Sequence, residues 1–258
     1  MVFIASPIIN FKRKKPKTLK THQKIFLEKV KISYKTYLND RLKQVDFHGM
    51  ITHPLYVQVT YERKTIFFKS YYFELFAKER YFLKIPGTSI AEGPGLLQVI
   101  GMETEVIKFI AEKHPDDFSL EVFKKEYAYY SKDLCDELEA GFIDYLYTFF
   151  HDQGLPALAE TIQTGSKFTV AYDIVMDLKI ALNKTLYDKL IENSFYYAPP
   201  YLPVYGFMKE VKKWPMLCLT AMEWDNKDTV KAFKEYVEIH YPDMKSTELI
   251  GQVNNWYS

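Results

Sequence analysis

Seven carboxylates crowd two short stretches of this chain. Asp116 and Asp117 follow His114-Pro115, and Asp133, Asp136, Glu137, Glu139 and Asp144 lie between residues 133 and 144. Oxygen ligands at that density suit a hard divalent cation. Asp116 together with Asp177-Leu-Lys179, or with Asp225-Asn-Lys227, also meets the loose acidic-x-Lys pattern of a metal-dependent nuclease. Three facts weigh against that chemistry. Thirty lysines and 33 acids generate such triplets by chance. Asp177 falls in a helical periodicity where the nuclease needs a strand, and the acids of 133–144 flank an apolar stripe as solvated helix faces do.

Other chemistries leave even less. Phosphate cradles need glycines at fixed spacing, and neither G-x-G-x-x-G nor G-x-x-x-x-G-K-[ST] occurs; at Thr164-Gly165-Ser166-Lys167, Glu160 stands where the first loop glycine belongs. G-x-S-x-G and H-E-x-x-H are absent, and the six histidines are scattered. Cys135 and Cys218 are too few for a disulfide framework or a cysteine zinc site. The sequence therefore predicts no catalytic residues, no metal and no cofactor, and leans away from an enzyme.

Cations and aromatic rings carry a different message. Residues 1–84 hold 18 Lys and Arg against 6 Asp and Glu, while residues 85–258 hold 16 against 27. The formal net charge of +1 conceals this split. Phe11-Lys-Arg-Lys-Lys-Pro-Lys17 concentrates Lys12, Arg13, Lys14, Lys15 and Lys17, a run that repels itself until phosphates neutralise it. Lys20, Lys24, Lys31 and Lys35 continue the charge, and Arg63, Lys64 and Lys69 follow among Tyr56, Tyr61, Phe67, Phe68, Tyr71 and Tyr72. Rings stack on bases and cations hold phosphates, so these twelve cations are the expected nucleic-acid contacts; because half of an alternating strand must pack a core, one exposed sheet face in a duplex groove is favoured over stacking on single strands. The competing reading is a solvated tail and a charged turn.

The elements that must position these groups follow from periodicity. Leu27, Val30, Tyr34, Leu38 and Val45 predict a helix over 18–46, flanked by the lysine stripe. Leu55, Val57, Val59 and Tyr61 alternate with polar residues, and a second run from Thr65 to Phe73 follows Glu62-Arg63-Lys64, predicting a β-hairpin without the usual Asn-Gly turn. Residues 74–84 either extend the sheet or begin a helix. Pro86 to Gly95, with three glycines and two prolines, reads as a linker. Beyond it come a helix over 96–113 and a long stripe from Leu120 to Phe149 that Gly141 divides. Then follow a helix from Val170 to Leu190, an aromatic connector from Phe195 to Tyr205, and helices over 227–240 and 246–257.

The expected fold is α+β: a small N-terminal β-hairpin or sheet with a helix, followed by a mostly α-helical domain. Residues 1–17 would be a flexible basic arm, 18–85 a basic module, and 96–258 an acidic helical domain. No run of 18 apolar residues exists, and the apolar stretch Val2–Ile9 precedes its charges, opposite to a secretory signal. A cytoplasmic location with no membrane partner is expected.

The basic arm followed by His53-Pro-Leu-Tyr-Val-Gln-Val-Thr-Tyr-Glu-Arg-Lys-Thr-Ile-Phe67 resembles the N-terminal part of Bacteroidetes-type tyrosine recombinases, over roughly residues 48–75. The resemblance implies an arm-binding sheet ahead of a helical core-binding region. It does not extend to catalysis, because that family clamps the scissile phosphate with arginines and an H-x-x-R motif. Here the only arginines are Arg13, Arg41, Arg63 and Arg80. The resulting expectation is a non-catalytic DNA-binding or accessory protein of a mobile element. Its basic module would bind duplex DNA, and its acidic helices would bind a protein partner or self-associate. The alternatives are an interaction scaffold with no nucleic-acid role and the metal-dependent nuclease.

Overall fold

Alternation of buried and exposed side chains builds the first layer. The computed structural model describes residues 25–27, 32–84 and 91–257. Its first six strands are β1 (Ile25–Leu27), β2 (Ile32–Leu38), β3 (Val45–Phe47), β4 (Met50–Thr52), β5 (Leu55–Tyr61) and β6 (Lys64–Lys69). Four of them form an antiparallel sheet in the order β1-β2-β5-β6. Between β2 and β5 the chain makes a small separate ribbon from β3 and β4.

The helix expected over 18–46 is not formed across the described part of that range. Ile32, Tyr34 and Thr36 are buried while Ser33, Lys35 and Tyr37 between them are partly exposed, a period of two. Ile32, Tyr34, Thr36 and Tyr37 are β-branched or aromatic and fit a pleated surface, and β5 supplies the partners that a helix would have sought four residues away. The second strand of the hairpin is shorter than its aromatic run. Ser70 accepts a hydrogen bond from the Phe73 amide, which starts α1 (Tyr71–Phe76) immediately after Lys69. A 3-10 turn (Glu79–Tyr81) follows, then β7 (Leu83–Lys84), which pairs with β8 (Ala91–Glu92). Of the linker expected over 86–95, Ala91 and Glu92 are thus strand, and 86–90 lie outside the described residues.

Ten further helices of one to five turns complete the described chain. They are α2 (Leu96–Lys113), α3 (Leu120–Tyr130), α4 (Leu134–Asp152), α5 (Pro156–Gly165), α6 (Ala171–Ala181), α7 (Lys184–Tyr197), α8 (Tyr201–Val211), α9 (Ala221–Trp224), α10 (Lys227–His240) and α11 (Ser246–Tyr257). The architecture is α+β, a small antiparallel sheet near the N-terminus followed by a mainly helical region.

The expected breaks lie elsewhere. The stripe from Leu120 to Phe149 divides at 131–133, not at Gly141. There the Leu134 amide donates to the Leu219 carbonyl, the Ala221 amide donates to the Lys132 carbonyl, and the Asp133 side chain caps the Cys135 amide. Gly141 lies inside α4 and leaves room for the Trp256 ring; a Cβ there would come 2.6 Å from Trp256 Cζ2. The stripe from Val170 to Leu190 is two helices, since the Asn183 side chain accepts from the Leu186 amide and starts α7, which runs on past Leu190 to Tyr197. The expected connector from Phe195 to Tyr205 shrinks to residues 198–200. Pro203 sits in the first turn of α8, where a missing N–H costs nothing.

Two buried clusters result. Ile32, Val57 and Val59 of the sheet pack with Tyr72, Val106, Ile107 and Phe123, so α1, α2 and α3 cover the inner face of the sheet. Leu138, Phe142, Phe150, Tyr201, Phe207 and Phe233 belong to the second cluster, where α8 is buried continuously from Tyr201 to Met208.

Candidate nucleic-acid interface

Among the described residues the helices cover one face of the sheet; on the other, open face Thr65, Phe67 and Lys69 are exposed and Lys35, Tyr37, Tyr56 and Gln58 are half-buried. Register places the outward side chains in three cross-strand rows: Ser33–Thr60–Thr65, Lys35–Gln58–Phe67 and Tyr37–Tyr56–Lys69. The Tyr37 and Tyr56 rings lie 6.2 Å apart, and Lys35 Nζ sits 5.4 Å from the Tyr37 ring centre. Phe67 is 58% exposed and adds an apolar ring to the same face. β2, β5 and β6 contain no aspartate or glutamate. Glu74, just beyond β6, lies 3.1 Å from Lys69 Nζ, with both side chains more than half exposed. Such a pair is worth little in water and releases its lysine readily.

At the end of the β5–β6 ribbon Glu62 and Arg63 form a two-residue turn, with φ of 48° and 65°. Both lie in the left-handed region that glycine and asparagine favour, which matches a type I′ hairpin made from unfavoured residues. Arg63 stands exposed at the tip, whereas Lys64 pairs with Tyr61 and shares the inward register of Ile66 and Phe68.

Of the twelve cations read from the sequence, Lys35 and Lys69 thus share the open face, Arg63 marks its tip, and Lys64 stands beside the tip on the opposite register. Lys12, Arg13, Lys14, Lys15, Lys17, Lys20, Lys24 and Lys31 lie outside the described residues. Tyr37 and Gln58 were not among the expected contacts. The alternation of Ser33, Lys35 and Tyr37 against Ile32, Tyr34 and Thr36 was the signal that would have found Tyr37.

Asp133, Asp136 and Glu139 are committed elsewhere. Asp136 receives Lys78 Nζ at 2.7 Å and the Arg80 guanidinium. Glu139 receives Arg80, the Ala171 amide at 2.7 Å and the Tyr201 hydroxyl at 3.1 Å. Asp133 accepts from the amides of Cys135 and Leu219, and burial pushes its carboxyl up to about 7. Asp116, Asp177 and Asp225 are exposed, Asp177 on α6 and Asp225 at the end of α9. Among the described residues no three His, Cys, Asp or Glu side chains are placed to hold a metal ion. No described helix is long and apolar enough to cross a membrane.

One polar centre had no sequence signature. Glu103, fully buried on α2, accepts from Ser70 Oγ at 2.5 Å, from the Tyr72 amide and from Tyr127 Oη at 2.6 Å. Burial pushes its carboxyl up to about 7, with the hydrogen bonds opposing that shift. It ties the junction of β6 and α1 to α2 and α3.

No protein-family model matches this chain, and no curated protein and no solved structure matches it either.

Proposed function

We propose that this chain is a non-enzymatic nucleic-acid-binding protein that receives its ligand on the open face of the β1-β2-β5-β6 sheet. The observation that carries this reading is a face whose strands hold no acid, on which Tyr37, Tyr56 and Phe67 are interleaved with Lys35 and with Lys69, the latter paired to Glu74 beyond β6. Rings supply stacking that tolerates any base, and lysines neutralise phosphate. The sequence adds Lys12 to Lys24 immediately ahead of β1, an edge strand of the same sheet. Strand spacing of about 4.8 Å makes a four-stranded face span about 14 Å between its outer strands. A B-DNA major groove is about 12 Å wide. Unpaired bases lying across the face suit this geometry best.

Duplex DNA is the second reading, favoured by the hairpin tip. A two-stranded ribbon fits a major groove, and Arg63 at its end can meet a guanine edge through two hydrogen bonds. An accessory role at mobile-element DNA, implied by the resemblance of residues 48–75, belongs to this second reading.

The test is fluorescence anisotropy with a labelled oligo-dT strand and a labelled mixed-sequence duplex at two salt concentrations. Tyr37→Ala and Phe67→Ala are expected to weaken strand binding by about 1–3 kcal/mol each, the usual worth of one stacked base. Lys35→Ala and Lys69→Ala lower the salt slope. Duplex binding that is stronger than strand binding and lost in Arg63→Ala selects the second reading. Absence of binding to both probes at low salt ends the proposal.

A further inference from the structure

The free edge of the same sheet, which shares Phe67 and Lys69 with the open face, is built to take a partner. β6 is an edge strand, with β5 on one side and no described strand on the other. The two-residue turn makes Tyr61–Lys64 a hydrogen-bonded pair, so Val59–Ile66 and Val57–Phe68 are hydrogen-bonded pairs in alternation. Thr65, Phe67 and Lys69 therefore direct their N–H and C=O groups away from β5. Beside this edge lies a cavity of about 540 Å³ whose far wall is α3, through Lys124, Tyr127 and Ala128. Its floor is apolar: Phe68 packs against Tyr127 with ring centres 4.4 Å apart. A groove with a strand edge on one wall and a helix on the other accepts one extended chain and no second sheet.

We propose that this groove binds an extended acidic segment of another protein by adding it as a strand to β6. Charge selects the occupant. Lys69, Lys124 and Lys132 line the groove against a single acid, Glu137, and Lys64 stands at the far end of β6. Lys69 and Lys132 are paired to Glu74 and Glu137, while Lys64 and Lys124 have no ion pair among the described residues. The chain's own Lys12–Lys17 segment would meet like charge there. A second copy of β6 would bring Lys64 and Lys69 again into a slot already lined by lysines. An incoming strand with small apolar residues along its middle toward Ile66 and Phe68, and glutamates at its two ends toward Lys64, Lys124 and Lys132, satisfies backbone, floor and rim together.

The probe is a fluorescent eight-residue peptide with glutamates at both ends of a valine–threonine core, titrated against the full chain by anisotropy. Its lysine-for-glutamate counterpart and two versions N-methylated on alternate amides serve as comparisons. Saturable binding is expected for the acidic peptide, with a roughly ten-fold loss on Lys124→Glu and on Ala128→Trp, which fills the groove from the exposed side of α3. One methylation register is expected to abolish binding and the other to spare it, because only one edge of an added strand faces β6. Circular dichroism of each variant separates loss of binding from loss of fold. Equal binding of the lysine peptide, equal effects of both methylation registers, or no binding up to about 1 mM overturns the proposal.

Discussion

Arg80 and Glu139 form an ion pair between the turn that closes the sheet module and helix α4, with side chains only 10% and 3% exposed. Glu139 also accepts from the Ala171 amide and the Tyr201 hydroxyl, and Arg80 also reaches Asp136. The acidic cluster that looks like cation chemistry in the sequence is thus the socket for a guanidinium of the same chain. It couples the two buried clusters through residues that belong to neither.

Removing Arg80 leaves the buried Glu139 carboxylate without its partner. Arg80→Met is expected to cost about 3–5 kcal/mol, read as a lowered midpoint in urea. Arg80→Met combined with Glu139→Gln is expected to recover much of that loss. The second change removes the buried charge and keeps a side-chain oxygen to accept from Ala171 and Tyr201. A double variant as unstable as the single one contradicts the account.

Glu103 makes stability depend on pH in an unusual direction. Its carboxyl is raised from 4.5 to about 7 by burial. The folded state therefore holds a proton that the unfolded chain releases, so the stabilisation is complete below about 4.5 and is lost as pH rises through about 7. Asp133, raised from 3.8 to about 7, acts in the same sense. Urea midpoints measured between these limits are expected to fall with rising pH, and Glu103→Gln to flatten the slope. A midpoint that climbs across this window in the parent chain would refute it.

Parts of this architecture were legible and parts were not, for identifiable reasons. Val57 and Val59 announced β5 because a sheet open on one side must alternate. Tyr34 and Leu38 imitated a helix because their step of four is also two strand periods, in a strand whose buried set is Ile32, Tyr34 and Thr36. Asp133 and Asn183 cap helices, yet the apolar stripes through them are continuous in the sequence. Only the pairing with Leu219 and Ala221 shows where the chain must leave the first of those helices. α8 had no amphipathic signal to read because most of its length is buried on all sides. Of the site, the cations and rings were visible in composition, whereas their sorting onto one face required the register of three strands.

Gly206 on α8 faces Tyr236 on α10, and a Cβ at that position would overlap the Tyr236 hydroxyl. Tyr236 is 8% exposed and packs against Phe207 and Phe233, so it has little room to retreat. Gly206→Ala gains helix propensity of about 1 kcal/mol and is expected to lose more than that through overpacking, typically about 1–3 kcal/mol. Thermal unfolding decides the sign. Recovery in Gly206→Ala/Tyr236→Phe, which removes the overlapping oxygen, would assign the loss to this contact.

Arg63 poses the sharpest choice between fold and function. Its φ of 65° follows Glu62 at 48°, so the hairpin turn is made twice from residues strained by left-handed backbone. Glycine carries no such penalty, and Arg63→Gly is expected to stabilise the fold by about 1 kcal/mol. A residue kept only for solubility in a turn gives that gain with no loss elsewhere. If Arg63 contacts nucleic acid, the same variant is more stable and binds more weakly, a combination that damage to the fold cannot produce. The measurement pairs the urea midpoint with anisotropy on the strand and duplex probes. Greater stability with unchanged affinity for both probes removes the tip from the interface and leaves the open face to act alone.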